Sequence, residues 1–387
     1  MVSRSKAWPF PISSLSVKMN LMLTVADALS FLESIAPTRW AFDFDNVGLL
    51  VGTKSDPLKG IAFALDSSEE LVNFGSSFGA NLLITHHPIL WNGTKSLCCN
   101  SAESRMIMSM MKGGMSLIAS HTNWDAAPSG ISDTLALRLG LTPISSVGSG
   151  AEVAYSKVVT FTPEEYVDPI IDVMAEAGAG MVGNYRRCGF HTSGMGTFEP
   201  LPGSDPYVGR IGKSDEIEEH RIEMICPSRL VDDVVAAIVE RHPYEQPVFD
   251  VITLRPLVEQ PLGRLGVLES PMSLADFQKH CDKSLSTKSL AWGDPQRVIS
   301  KVVVCGGAGD DMWEAALEAG ADAFVTGEIR HHIAKAGSEA GLAMLSCGHF
   351  ATEHPGMESL CELFHAQFPD VHCKIFTPEP GSAARPV

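Results

Sequence analysis

Apolar residues at Val25, Ala28, Leu29, Leu32 and Ile35 recur at steps of three and four, which predicts one helix with a single buried stripe. Thr24 and Asp27 stand where a capping box would open it. Past the turn marked by Asp45-Asn46-Val47-Gly48 the pattern shortens. Residues 49–51, 61–65, 80–85 and 115–119 are compact apolar runs, which predicts buried strands, with a helix over 68–78 between the second and third. The far end repeats this grammar: a strand at 301–305, a glycine turn at 306–309, a helix at 311–320, and strands at 321–326 and 341–346. Residues 80–87 read ANLLITHH and residues 321–332 read ADAFVTGEIRHH. In each half a later strand leads into a His-x-x-x-carboxylate element, His121 with Asp125 and His349 with Glu353. The fold class that follows is α/β, with two related three-layer lobes in a pseudo-twofold relation, each a mostly parallel sheet covered by helices.

Between the halves the alternation changes. Strands at 158–161, 218–225 and 248–254, helices at 164–177 and 228–241, and a glycine- and proline-rich stretch give a β-α-β-β-α-β order. That order predicts an inserted ferredoxin-like α+β domain. The Pro-rich segment 253–261 is expected to return the chain to the main body. The division is then a tail or over-long start at 1–22, an N-terminal lobe at 23–152, the insert at 153–258, a C-terminal lobe at 259–378 and a tail at 379–387.

Composition adds limits. At 45% hydrophobic and 19% charged, the 387 residues are globular and not disordered. A formal net charge of −17 argues against a nucleic-acid partner, which needs a basic face. No apolar run approaches the ~18 residues of a membrane span. Nine cysteines, without a C-x-x-C pair or a disulfide framework, predict a reducing, cytoplasmic setting with most thiols packed as small hydrophobes. Residues 1–26 hold no acid, but Pro9 and Pro11 break their apolar stretch, which argues against a secretory leader.

The histidines carry the chemistry. His86, His87 and His121 fall at strand ends of the first half, and His331, His332, His349 and His354 in the second. Strand C-terminal ends are where α/β sheets place their sites. A four-residue step puts histidine and carboxylate on one face of a helical turn. Imidazole with carboxylate suits Zn, Fe or Mn, and ligand candidates beyond four point to two divalent cations per chain. Such ions, roughly 3.5–4 Å apart, need a bridging acid, with Asp125 and Glu353 available, and would acidify a bound water for hydrolysis. Two glycine runs compete for attention. Gly178-Ala179-Gly180-Met181-Val182-Gly183 follows a predicted helix, so its dinucleotide context fails. Gly306-Gly307-Ala308-Gly309 follows a strand, and reads equally as an anion cradle or a tight turn.

The runs WAFDFDNVGLLVG (40–52), ITHHPILW (84–91), SHTNWDAAPSGISDTLA (120–136), VVVCGGAG (302–309), DAFVTGEIRHH (322–332) and CGHFATE (347–353) resemble the GTP cyclohydrolase I type 2 homologue family, also called NIF-three-like. The insert resembles the PII/CutA-like domain of its longer members through residues 177–190, 194–209 and 242–247. The resemblance implies a dinuclear centre with His86, His87, Asp125, His349 and Glu353 as ligands, Glu353 as bridge and His121 beside them as a supporting residue. It places Glu328 and His331 near the site as candidate catalytic groups. It also implies a homohexameric toroid and a nucleotide-like small-molecule substrate. Two functions follow: a metal-dependent hydrolase with Glu328 or a nearby histidine moving protons, or a metal-loaded binding or regulatory protein whose insert senses a partner.

Overall fold

The computed structural model describes residues 22–91, 96–98, 100–182, 185–254 and 257–382. Residues 1–21, Gly183 and residues 383–387 lie outside that range, and with them most of the N-terminal tail, the last glycine of the 178–183 run and part of the C-terminal tail. Among the described residues no helix is long and apolar enough to cross a membrane.

The first helix, Val25–Ile35, opens on the expected capping box: Thr24 donates its backbone N–H and its hydroxyl to Asp27 at 2.7 Å each. The first sheet runs Gly48–Val51, Ser116–Ala119, Leu82–Thr85, Gly60–Ala64, His372–Ile375. Its first pair is antiparallel and the other three pairs are parallel. Because successive side chains alternate across a strand, Ile61, Phe63 and Leu65 enter one apolar layer while Ala62 and Ala64 enter the other. Burial of each such large apolar side chain contributes about 1.5–3 kcal/mol.

The second sheet runs Leu290–Trp292, Ala343–Ser346, Ala323–Thr326, Val298–Val304, Leu257–Ser273, Leu141–Val153. Its first four strands repeat the order and senses of the first sheet, antiparallel and then parallel twice. It too is covered on both faces: Val302, Val304 and Val325 enter one layer, Val303, Phe324 and Met344 the other. The duplication read from the sequence is thus present in the topology.

The halves also exchange ends. After His121–Asp125, helix Ile131–Arg138 and strand Leu141–Val153 join the second sheet and its core. After His349–Glu353, helix His349–Gln367 and strand His372–Ile375 join the first. A division of the chain at fixed sequence positions does not anticipate this crossing. Phe364 shows its cause: it lies fully buried against Phe31 and Phe63, with ring centroids 4.9 and 5.3 Å away. The exchange clasps the lobes together at the place where both His-x-x-x-carboxylate elements lie.

The third sheet, Gly189–Phe198, Asp215–Pro227, Tyr155–Thr162, Phe249–Thr253, is antiparallel, with helices Val167–Glu176 and Val231–Arg241 packed on Val158, Ile222 and Met224. This is the ferredoxin-like order. Gly189–Phe198, read from the sequence only as a glycine-rich stretch, is a ten-residue strand, because pairing with Asp215–Pro227 outweighs the poor strand propensity of glycine. The return segment also differs from a Pro-rich connection: Leu257–Ser273 is a 17-residue strand. Its Pro261, which lacks an N–H, sits between two register shifts opposite Gly150. Leu257 and Val258 pair with Val153 and Glu152, so the chain leaves for the insert and returns from it on adjacent strands. Four of the described cysteines are buried (Cys226, Cys281, Cys305 and Cys347), whereas Cys98 is exposed.

Candidate metal centre

Local structure first fixes the backbone. His86 and His87 follow Leu82–Thr85 and extend its ladder, their N–H groups donating to the carbonyls of Ala64 and Leu65 at 3.2 and 3.0 Å. His121 follows Ser116–Ala119, and Asp125 donates back to the His121 carbonyl at 3.0 Å within the short helix Thr122–Ala126. His349 opens the helix His349–Gln367, and Glu353 lies one turn on, its Oε2 3.0 Å from His349 Nε2.

These side chains converge. Glu353 Oε1 lies 3.8 Å from His86 Nε2, while Oε2 lies 3.3 Å from His87 Nε2. His86 Nε2 is 3.4 Å from Asp125 Oδ1, and His87 and His349 approach to 3.4 Å. Their ligand atoms form three overlapping groups: His86, Asp125 and Glu353; His87, His349 and Glu353; His86, His87 and His121. Each imidazole is held from behind through Nδ1. The partners are the Ser120 carbonyl for His86 (2.9 Å), Asp66 for His87 (2.7 Å), Asp45 for His121 (2.9 Å) and Glu328 for His349 (3.1 Å). Every Nε2 is thereby left for the centre, the arrangement that metal-ligating histidines require.

The chemistry of the donor set fits a cation. His86 Nε2 and Asp125 Oδ1 are buried with no hydrogen-bond partner. Buried polar atoms left so are costly unless something satisfies them. Gly307 makes room for the carboxylate beside them: at φ +63°, a Cβ there would collide with Glu353 Oε1. Gly307→Ala is therefore expected to push the carboxylate aside and weaken metal binding by at least the roughly 10–100-fold typical of a lost outer partner. Titration of Zn into the apo variant, followed by calorimetry, checks this.

Without a cation, protons compensate the acids. Burial disfavours a charged His87, but its bonds to Asp66 and Glu353 outweigh that and hold its pKa near 10. Burial likewise opposes charge on His86, and the facing Asp125 and Glu353 raise its pKa all the same. His349 is raised by its bond to Glu353. Burial pushes the Glu353 carboxyl up, yet His86, His349 and His87 bring it well below the usual carboxylate range. For His87 the sign is definite. Its folded pKa exceeds the ordinary 6.5, so its stabilisation of the apo form is complete below 6.5 and fades as pH rises towards 10. A metal must displace that proton. Binding at pH 7.5 should release at least one proton per chain, seen as a calorimetric enthalpy that changes with the buffer's ionisation enthalpy. A buffer-independent enthalpy would contradict it.

The structure thus brings together His86, His87, Asp125, His349 and Glu353, with His121 in the same cluster. Glu328 is exposed and bonded to His349, so it orients that ring. His331 is exposed as the first residue of His331–Glu339 and belongs to none of the three groups. In ANLLITHH the histidines follow their strand at once, whereas Gly327-Glu328-Ile329-Arg330 intervenes before His331 and carries it onto the next helix. The glycine run 306–309 is a tight turn: the N–H groups of Gly307 and Gly309 go to the hydroxyls of Thr352 and Thr326, both 3.1 Å, which leaves them unavailable to an anion. Asp45 and Asp66 went unassigned in the sequence, where an acid 76 or 21 residues from its histidine gives no signal. Asp66→Asn is expected to weaken metal binding 10–100-fold, measured by the same titration.

Comparison with known proteins now bears on the reading. The family description Duf34/NIF3 (NGG1p interacting factor 3) matches residues 23–380. The chain belongs to the Duf34/NIF3 family. It is 34% identical over 355 residues to a Mycobacterium leprae protein named GTP cyclohydrolase 1 type 2 homolog, covering 89% of this chain and 90% of that one. A Staphylococcus epidermidis protein of the same name is 32% identical, covering 92% and 98%. Among solved structures, a Bacillus cereus protein related to NIF3 superposes with a TM-score of 0.67 at 32% identity, covering 92% of this chain and 98% of that one. A Staphylococcus aureus protein, SA1388, gives 0.71 at 28% identity, covering 92% and 97%. This member of the Duf34/NIF3 family therefore shares its fold with those two solved structures over 92% of its length.

Proposed function

We propose that this Duf34/NIF3 protein is a metal-dependent hydrolase that holds two divalent cations. The observation that carries the reading is the shared carboxylate: Glu353 turns one oxygen to His86 and the other to His87 and His349. His86, Asp125 and Glu353 would hold one ion, and His87, His349 and Glu353 the other, with His121 completing the cluster. Bound there, Zn, Fe or Mn would supply Lewis acidity and a water acidified towards neutral pH. The chain's own residues do the rest. Asp66, Asp45, Glu328 and the Ser120 carbonyl fix the imidazole tautomers. Glu328, exposed beside His349, is the group suited to relay a proton between that imidazole and solvent. The names of the relatives point to a nucleotide-like substrate, and the family resemblance to a homohexamer, which light scattering on the full chain tests. The functional test is turnover by protein of defined metal content against nucleotides, cyclic amides and phosphoesters. Activity should disappear with chelator, return with metal and be lost in Asp125→Ala. Fully metallated protein that turns over none of these classes would leave the alternative, a metal-loaded binding protein.

A further inference from the structure

Two of the runs by which the insert resembles longer relatives, 194–209 and 242–247, contribute nothing to the metal centre. In the structure they meet. With the sheet face carrying Phe161, Ile217, Glu219 and Arg221 they enclose a cavity of about 880 Å³. That volume is typical of sites that hold drug-sized molecules, roughly 300–1,000 Å³.

Its floor is the strand Gly189–Phe198, and two glycines shape it. A Cβ at Gly194 would meet nothing within 4 Å, so the missing side chain is open space. A Cβ at Gly196 would strike Glu219 Oε2 at 2.1 Å, so glycine there lets the Glu219 carboxylate lie against the floor. The walls are aromatic. Tyr207 and Tyr244 stand with ring centroids 5.7 Å apart, and Phe161 and Phe198 line the same space. Tyr244 donates to Glu219 Oε1 at 2.7 Å, which fixes both the ring and the carboxylate.

Charge decides what fits. Glu199, Glu219 and Glu245 line the cavity, and among the described residues no ion pair engages them. Arg221, the basic lining residue, donates its Nε to Glu223 at 2.8 Å and lays its guanidinium 5.5 Å over the Phe161 ring. An anion would face three carboxylates against one arginine. A cation would face carboxylates and the electron-rich faces of tyrosines, the pairing by which aromatic cages hold ammonium groups. We propose that this cavity binds a small organic cation with an aromatic or apolar body, its charged head on Glu219 and its body against the aromatic walls.

The test uses the full chain and isosteric probes that differ in charge: benzamidine, benzamide and benzoate, with tryptamine and 3-indolepropionate as a second set. Calorimetric titration should show binding of benzamidine and tryptamine, with the neutral and anionic partners at least tenfold weaker. Gly194 has ordinary strand dihedrals and free space before it, so Gly194→Trp should fill the cavity and abolish binding. Glu219→Gln, which keeps an acceptor for Tyr244, should weaken cation binding at least tenfold. Metal content should be unchanged in both variants. Equal binding of benzoate, binding that survives Gly194→Trp, or no binding of either cation overturns the proposal. So does a fall in the mass of the Gly194→Trp assembly by light scattering, because the cavity would then be filled by a second copy of the chain.

Discussion

Glu353→Gln is expected to leave the chain without either cation. Glu353 is 3% exposed, and its carboxylate addresses three imidazoles through its two oxygens. An amide keeps the shape but loses the negative charge that makes two neighbouring dications tolerable. Its NH₂ would also donate to an imidazole Nε2 and occupy the lone pair a metal needs. The apo fold should therefore persist while the metal is lost. Elemental analysis after dialysis against excess Zn should give near two ions per chain for the parent protein and near zero for the variant. Asp125→Asn touches one of the two groups built on Glu353 and should retain one ion. A Glu353→Gln protein that keeps two ions would overturn the shared-carboxylate reading.

The largest effect on stability is expected at Arg264, a residue outside every motif. It is 5% exposed on the strand Leu257–Ser273. Its guanidinium bonds Asp133, the Pro261 carbonyl at 2.6 Å and the Ala126 carbonyl at 2.6 Å. It therefore ties the second sheet to the helix that carries Asp125 and to the exchanged helix Ile131–Arg138. Arg264→Met leaves Asp133, the buried Ala126 carbonyl and the half-buried Pro261 carbonyl without their donor. Removing one partner of a buried pair costs about 3–5 kcal/mol. Denaturant midpoints should fall accordingly, and Arg264→Lys should recover less than half, because an ammonium cannot reproduce the fork. The metal group of His86, Asp125 and Glu353 should weaken with it. A variant within 1 kcal/mol of the parent would show that the lobes are clasped by apolar packing alone.

Relatedness of the two lobes was legible in the chain because strand length, turn residues and the His-x-x-x-carboxylate step are local patterns. So were the clustered histidines and acids at strand ends and the capping box at Thr24, each set by residues within one turn of one another. The sequence also marked the order of the insert, since helix and strand periods differ. What it could not carry were relations between distant positions. Gly189–Phe198 became a strand only through its partner, and His331 fell outside the three ligand groups because four residues moved it onto the next helix. Asp66 found His87, Asp45 found His121, and Gly307 opened a space for Glu353 from 46 residues away. The exchange of terminal helices and strands belongs to the same class. Apolar faces such as that of Phe364 state that they must be buried, but not against which sheet. Periodicity encodes the free energy of burial locally, and the choice of partner is made only when the two lobes pack.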